Sequence, residues 1–285
     1  MATTVVKNYS IAPYFDDFDE TKNYHRILFR PGYAVQAREL TQLQTALQAQ
    51  IDRYGQFAFK DGSRVVNGKV TLNVEYDFIK ITSSSFTPTI NSYSGAAISD
   101  PDNYLDEFVG TTITSASGVT AVVQQVVANA GAGNPSTLYV KYTNSGTDNE
   151  TSTFVGDEEF FSNGSVVRYG KVVPTADTPT GYGSAVNIEE GVYFIAGTFV
   201  YVPAGSLILD KYTNTPNYIV GLKVSETTVD NTTDATLLDN AQGVPNTAAP
   251  GALRYKISTE LIKQPLSLAS RTENDYITLV VIEDG

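Results

Sequence analysis

The chain contains no cysteine and no tryptophan, and only one histidine and one methionine. Without cysteine there can be no disulfide, no thiolate nucleophile and no Cys-ligated metal. Such a chain can fold in a reducing cytosol and later survive outside the cell without redox damage. With one imidazole, any Ser-His-Asp relay or His-based general base must use His25. His25 lies in Tyr24-His25-Arg26-Ile27-Leu28-Phe29, where apolar and aromatic neighbours suit packing, so it reads as structural or interfacial. Long apolar runs are also missing. None approaches the ~20 residues a membrane helix needs, and the opening residues carry no apolar segment of the signal-peptide kind. The triplets at Asn163-Gly164-Ser165 and Asn231-Thr232-Thr233 therefore read as chance matches to a glycosylation signal. Positive charge is scarce: 19 Lys and Arg stand against 31 Asp and Glu, a formal charge of −12. This argues against nucleic acid as a partner, because phosphate binding needs clustered cations.

What is present points to strands. Hydrophobic residues make up 41% and charged residues 18% of the 285, which excludes wholesale disorder. The length is near the point at which single cores divide into modules. The 18 Tyr and 13 Phe, among many Thr and Val, fit pleated, half-buried surfaces. The spacing predicts one convincing helix, from about Ala34 to Tyr54. There Leu40, Leu43, Leu47, Ile51 and Tyr54 step by three or four along one face, and Gly55 stands where a C-terminal glycine cap belongs. The polar face is rich in glutamine, including Gln36, Gln42, Gln44, Gln48 and Gln50.

Beyond the helix the period becomes two. Phe57 and Phe59 predict a short strand, Asn67-Gly68 a hairpin turn, and Lys69 to Ile81 a long strand. Ser83 to Asp102 and Pro174 to Gly183 read as linkers. Between them, short strands are expected near 110–114, 119–127, 137–142, 154–161 and 166–173. Nine acidic residues and one basic residue, Lys141, lie between Ile98 and Ser165, and this charge asymmetry marks a separate module. Further strands are expected around Ala196-Gly197, at Leu207–Leu209, from Tyr218 to Val229, and near Tyr255 and Ile277. The expected fold class is mainly β with one prominent N-terminal α-helix. Its organisation would be an extended aromatic arm (1–32), a helix-plus-β docking core (33–105 with 174–285) and an inserted small acidic β-sandwich or barrel (106–173).

Chemistry is hard to place on this frame. The carboxylate groups Asp16/Asp17/Asp19, Asp157/Glu158/Glu159 and Glu189/Glu190 are adjacent pairs or runs of the kind that sit on solvated loops. A glycosidase needs two carboxylates about 5–9 Å apart, which spacing alone does not supply. Asp100-Pro101-Asp102-Asn103-Tyr104-Leu105-Asp106-Glu107 has oxygen ligands at alternate positions as calcium loops do, but lacks the central Gly and the register of an EF-hand; a solvated acidic linker is the better reading. No phosphate-cradling glycine motif occurs. No catalytic, cofactor-binding or metal-ligating residue is assigned, and the chain is read as a non-enzyme that needs no cofactor.

One resemblance carries a functional expectation. The stretch Tyr14 to Gln44, with Phe59–Ser63, Leu209–Leu222 and Asp234–Arg254, resembles a family of virion structural proteins of tailed phages, notably contractile-tailed cyanophages. The resemblance covers both ends of the chain, and 106–173 looks like an insertion into it. It implies a structural tail or baseplate subunit, assembled in the host cytoplasm, with other tail proteins and copies of itself as partners. It transfers no catalytic residue. The expected contact surfaces are the arm, through Tyr14, Phe15 and Phe18, and the helix, through Leu40, Gln44, Leu47, Gln48 and Ile51. The alternative for the helix is that it packs on its own sheet. A second functional expectation is a tail-fibre connector or receptor-binding adhesin that presents Tyr139 and Tyr142 to host-surface polysaccharide; a third is a polysaccharide hydrolase. Asp284-Gly285, a turn signal after an apolar strand, suggests that the natural chain continues past Gly285.

Overall fold

The computed structural model describes residues 9–131, 133–241, 243–266 and 275–285. The fold is mainly β with one long helix near its N-terminus, and the chain divides into two compact units.

The first unit runs up to Thr71 and takes in Asn187–Leu207 and Asn217–Glu283. Its helix, α1, spans Ala37–Ala58. A three-stranded antiparallel sheet joins β1 (Ser63–Asn67), β9 (Gly191–Ile195) and β10 (Thr198–Val202) in the order β1-β9-β10. The β9–β10 turn is Ala196-Gly197, as the sequence predicts. Ile195 pairs with Thr198 across it, and both turn residues have positive φ, +48° and +75°, the signature of a two-residue hairpin loop. A second three-stranded sheet centres on β12 (Tyr218–Val229), flanked by β13 (Arg254–Pro265) and β14 (Tyr276–Ile282). Tyr193, Ile195, Val202, Leu222, Val224 and Ile277 close into one core.

The second unit comprises Leu72–Val186 with Ile208–Pro216 and the last two residues. The chain enters it along β2 (Val70–Lys80). Its remaining strands are β3 (Thr112–Ser115), β4 (Thr120–Val127), β5 (Thr137–Asn144), β6 (Glu159–Ser162), β7 (Tyr169–Lys171), β8 (Thr180–Ile188) and β11 (Gly205–Asp210). They form one sheet in the order β11-β8-β2-β5-β4-β3-β6-β7, curled into a half-barrel. Ile79, Phe108, Ile113, Val123, Leu138 and Phe160 lie at its centre, each almost wholly buried. Phe160 is accommodated by the glycine opposite it. Gly170 is its cross-strand partner, and a Cβ there would lie 2.1 Å from the ring.

Four local expectations are corrected. Gly55 is not a cap: α1 runs three residues further, to Ala58, and Phe59 caps it by donating its N–H to the Gly55 carbonyl at 2.7 Å. Phe57, expected on a strand, is therefore helical and 92% exposed. Asn67-Gly68 does adopt the positive φ of a turn, but β1 pairs with β9, not with β2. The turn is held by Gly68 N–H to Glu190 O and by the Tyr193 hydroxyl donating to Gly68 O, so the two strands it joins diverge. The linker at Pro174–Gly183 is mostly strand. A short 3-10 turn at Thr175–Asp177 leads directly into β8, between β11 and β2. Gly181 and Gly183 are there for close approach: Cβ atoms would meet the Phe78 ring at 3.1 Å and the Lys211 carbonyl oxygen at 2.6 Å, a recognised use of glycine inside a strand. The unit that contains the acidic strands is accordingly wider than 106–173, since β2, β8 and β11 share its sheet.

Candidate interaction surface

Helix α1 begins where a capping box forms. Gln36 stands at the N-cap, and its backbone N–H donates to Glu39 Oε2 at 2.8 Å, satisfying a donor that the helix cannot. An amphipathic helix of a globular protein turns its apolar stripe to the core. This one does the reverse. Leu40, Leu43, Leu47, Ile51, Tyr54 and Phe57 are exposed by 51, 39, 61, 43, 67 and 92%. The opposite side is held by polar bonds and one close approach. Thr45 Oγ1 donates to Asp16 Oδ2 at 2.5 Å, and Gln48 Nε2 donates to the Gly197 carbonyl at 3.2 Å and to Thr198 Oγ1 at 2.9 Å. At the C-terminal end Gly55 lies directly against the Phe194 ring, which is packed among Phe59 and Phe199.

The arm lies beside this helix. Asp16 is buried and accepts from Phe18 N–H at 3.2 Å as well as from Thr45. Asp17 accepts from the Gln42 side chain and sits 3.6 Å from Arg38. Glu20 and Arg53 pair at 2.5 Å; both are more than a third exposed, so the pair contributes little. Phe15 has φ +48° and is 58% exposed. A bulky side chain in that region is strained. A shallow pocket between arm and helix is lined by Phe18, Tyr24, His25, Leu47, Gln50 and Arg53.

These positions divide the expected contact residues. Phe15, Leu40, Gln44, Leu47 and Ile51 face solvent. Tyr14 is half-buried, its ring edge-on to Tyr9, and Phe18 is half-buried in the pocket wall. Gln48 is exposed as well, with its amide donating within its own unit. His25 is exposed and makes no hydrogen bond or ion pair among the described residues.

Several of the carboxylates weighed for catalysis are engaged within the fold. Glu158 is buried and accepts from Ser117 and Val155 N–H. Glu159 accepts from the Thr89 N–H and hydroxyl, and Glu190 from the Tyr201 hydroxyl. Asp100 caps a 3-10 turn at Pro101–Phe108, and Asp102 accepts from the Ser83 and Ser136 hydroxyls. Among the described residues no three His, Asp or Glu side chains gather as metal ligands, and no helix is long and apolar enough to cross a membrane.

The sugar-facing expectation fails for Tyr139, and Tyr142 is half-buried. Tyr139 is fully buried, stacked on Tyr76 at 4.9 Å, and donates to Lys211 O. Tyr142 packs edge-on to Phe154 and accepts its backbone N–H. Burial pushes both phenol pKa values upward. Strand periodicity cannot distinguish a ring on the inner face of a sheet from one on the outer.

Among known proteins, no curated sequence and no solved structure matches the chain. One family profile does, over residues 12–86 and 149–285. It passes over 87–148, so β6 and β7 fall inside the matched part although they lie in the 106–173 segment expected to be an insertion. With well over half of its length matched, the chain belongs to the family described as a domain of unknown function, DUF4815.

Proposed function

We propose that the chain is a structural subunit of a tailed-phage particle, built into a tail or baseplate assembly by protein–protein docking through the outer face of α1. The phage context comes from the sequence resemblance of the arm, the helix and the C-terminal segments. The observation that carries the docking role is the reversed helix: six large apolar side chains in one stripe lie outward, while threonine, glutamine and glycine face the body. A contiguous apolar patch of this kind on a folded unit marks an interaction surface. Leu47 also lines the pocket beside the arm, but the polar bonds that hold α1 do not use the stripe, so most of it is open to a partner. The adhesin reading loses Tyr139, which is fully buried, and among the hydrolase candidates Glu158, Glu159 and Glu190 accept hydrogen bonds within the chain.

The test is a triple variant, Leu40→Gln, Leu47→Gln and Ile51→Gln. Exposed positions tolerate such changes within about 0.5 kcal/mol each, so the thermal midpoint should barely move. Incorporation into particles, measured by mass spectrometry of purified virions from a host supplying the variant, should fall at least tenfold. Normal incorporation of a folded triple variant would refute the docking role of this face.

A further inference from the structure

A second feature lies beside the helix and differs from it in charge. From Thr21 to Arg38 the sequence has four basic residues, Lys22, Arg26, Arg30 and Arg38, and no acidic one. Since the whole chain is −12 and this segment +4, the other residues carry −16. The segment is apolar as well as basic: Tyr24, Leu28, Phe29, Tyr33 and Val35 are exposed by 71, 74, 47, 65 and 52%.

From Tyr24 to Arg30 the chain forms neither helix nor strand, and no backbone hydrogen bond ties residues 24–29 among the described residues. Lys22 and Arg26 make no ion pair there either, while the Arg30 guanidinium lies 4.1 Å over the Tyr33 ring. Holding such a strap in place costs conformational entropy, and among the described residues no backbone hydrogen bond of 24–29 offsets it.

We infer that residues 21–38 form an arm by which one copy of this chain grips a second copy, head to tail. Three physical points select that occupant. The 21–38 segment is cationic, although the 1–32 arm as a whole is neutral because Asp16, Asp17, Asp19 and Glu20 balance its four cations; the remainder of the molecule is anionic, so attraction steers this segment to a second copy. Arg38 is already paired with Asp17 of its own copy, but an arm-to-arm contact would still set Lys22, Arg26 and Arg30 against the same three cations, which opposes a two-fold symmetric contact through this segment and favours a heterologous one. The area also suffices: the five exposed side chains present roughly 700 Å², close to the ~800 Å² each partner gives to a standard interface. A heterologous contact closes into a ring when the rotation per copy permits it and otherwise grows as a filament.

This deepens the docking reading by naming one of the partners, and it is tested without any other tail protein. The full chain is sedimented at about 50 µM in about 0.05 M and about 0.5 M salt, where screening differs severalfold. Species heavier than the 30.8 kDa chain are expected at low salt and loss of mass at high salt. Arg26→Glu with Arg30→Glu should weaken association at least tenfold; a companion Arg26→Gln, Arg30→Gln variant covers the case in which the charge reversal fails to fold. Carbodiimide cross-linking of mixed heavy- and light-isotope chains should join Lys22 of one copy to carboxylates of another. A monomer at low salt, association indifferent to all four substitutions, or Lys22 cross-links confined to single chains would each overturn the inference. Loss of self-association in variants that still enter particles would leave the docking function standing, whereas failure of the α1 variants alone would remove that function and not this one.

Discussion

Replacing Gly55 by alanine sets two effects of known size against each other. In an exposed helix interior, Gly→Ala stabilises by about 1 kcal/mol, because glycine surrenders more backbone freedom on folding. Gly55 lies within a 22-residue helix, so propensity alone predicts a gain. In the folded chain the added methyl would lie 2.1 Å from Phe194 Cε2, 2.5 Å from Cζ and 3.0 Å from Cδ2. The ring cannot swing aside freely: it is 1% exposed and packs against Phe59 at 6.0 Å and Phe199 at 5.5 Å. Overpacking of this kind costs about 1–3 kcal/mol, which exceeds the propensity gain over most of its range. The expected net loss is about 0–2 kcal/mol, or a fall of up to roughly 8 °C in thermal midpoint for a protein of this size. Differential scanning calorimetry gives the midpoint, and Phe194→Leu in the same chain tests the cause: the double variant should be less destabilised than the sum of the two single ones. A midpoint that rises in Gly55→Ala would refute the seating of α1 on β9.

In the second unit, Gly170→Ala should destabilise by about 1–3 kcal/mol, because its methyl would enter the Phe160 ring at 2.1 Å in a fully buried site; an unchanged denaturation midpoint would refute the cross-strand pairing. Burial, partly offset by Arg168, pushes the Tyr104 phenol up to about 12, while its hydroxyl donates to the Tyr169 carbonyl at 2.7 Å. A group whose pKa is raised on folding contributes stability that is complete below its unfolded value, near 10, and is lost as pH rises through the folded value. Stability should therefore fall between about pH 10 and 12. Tyr104→Phe should cost about 1 kcal/mol at neutral pH and flatten that loss, as followed by ultraviolet absorbance and denaturant titration. An unaltered alkaline limb in the variant would assign the effect elsewhere.

Elements that alternate strictly were legible in the sequence. The strand predicted from Tyr218 to Val229 is the strand that forms, since a central strand fed by β-branched and aromatic side chains has no competing local structure. The pair around Ala196-Gly197 was legible for the same reason, with the turn residue in place. Glycine was the main source of error, because one residue type serves three purposes. Gly55 suggested a cap but makes room for a ring; Gly181 and Gly183 suggested a linker but let strands approach; Gly68 and Gly197 were read as turn glycines, and both have positive φ. The candidate surface was half legible. The stripe Leu40–Tyr54 follows from periodicity, but its direction does not, because periodicity finds two faces and cannot say which one a sheet will receive. Gln48 is exposed, yet its amide donates within its own unit. What determines the outcome is the acceptor chemistry waiting at Gly197, Thr198 and Asp16, supplied by residues distant in sequence.

The two ends of α1 are held by different forces, and this has a kinetic consequence. Near Gly55 the helix is anchored by ring packing that water cannot replace. From Thr45 to Gln48 it is tied by hydroxyl and amide bonds that solvent can substitute one for one, at a net cost of about 1 kcal/mol apiece. Opening should therefore start at the N-terminal turns and swing about the glycine. Amide hydrogens near Leu43 and Gln44 should exchange by a low-energy local event, and those near Tyr54 by a costlier one. A partner that covers the leucine stripe adds burial along the weak half. It would raise the opening free energy there by its own binding free energy at saturating concentration, converting a helix that breathes in the free subunit into a fixed strut in the assembled one.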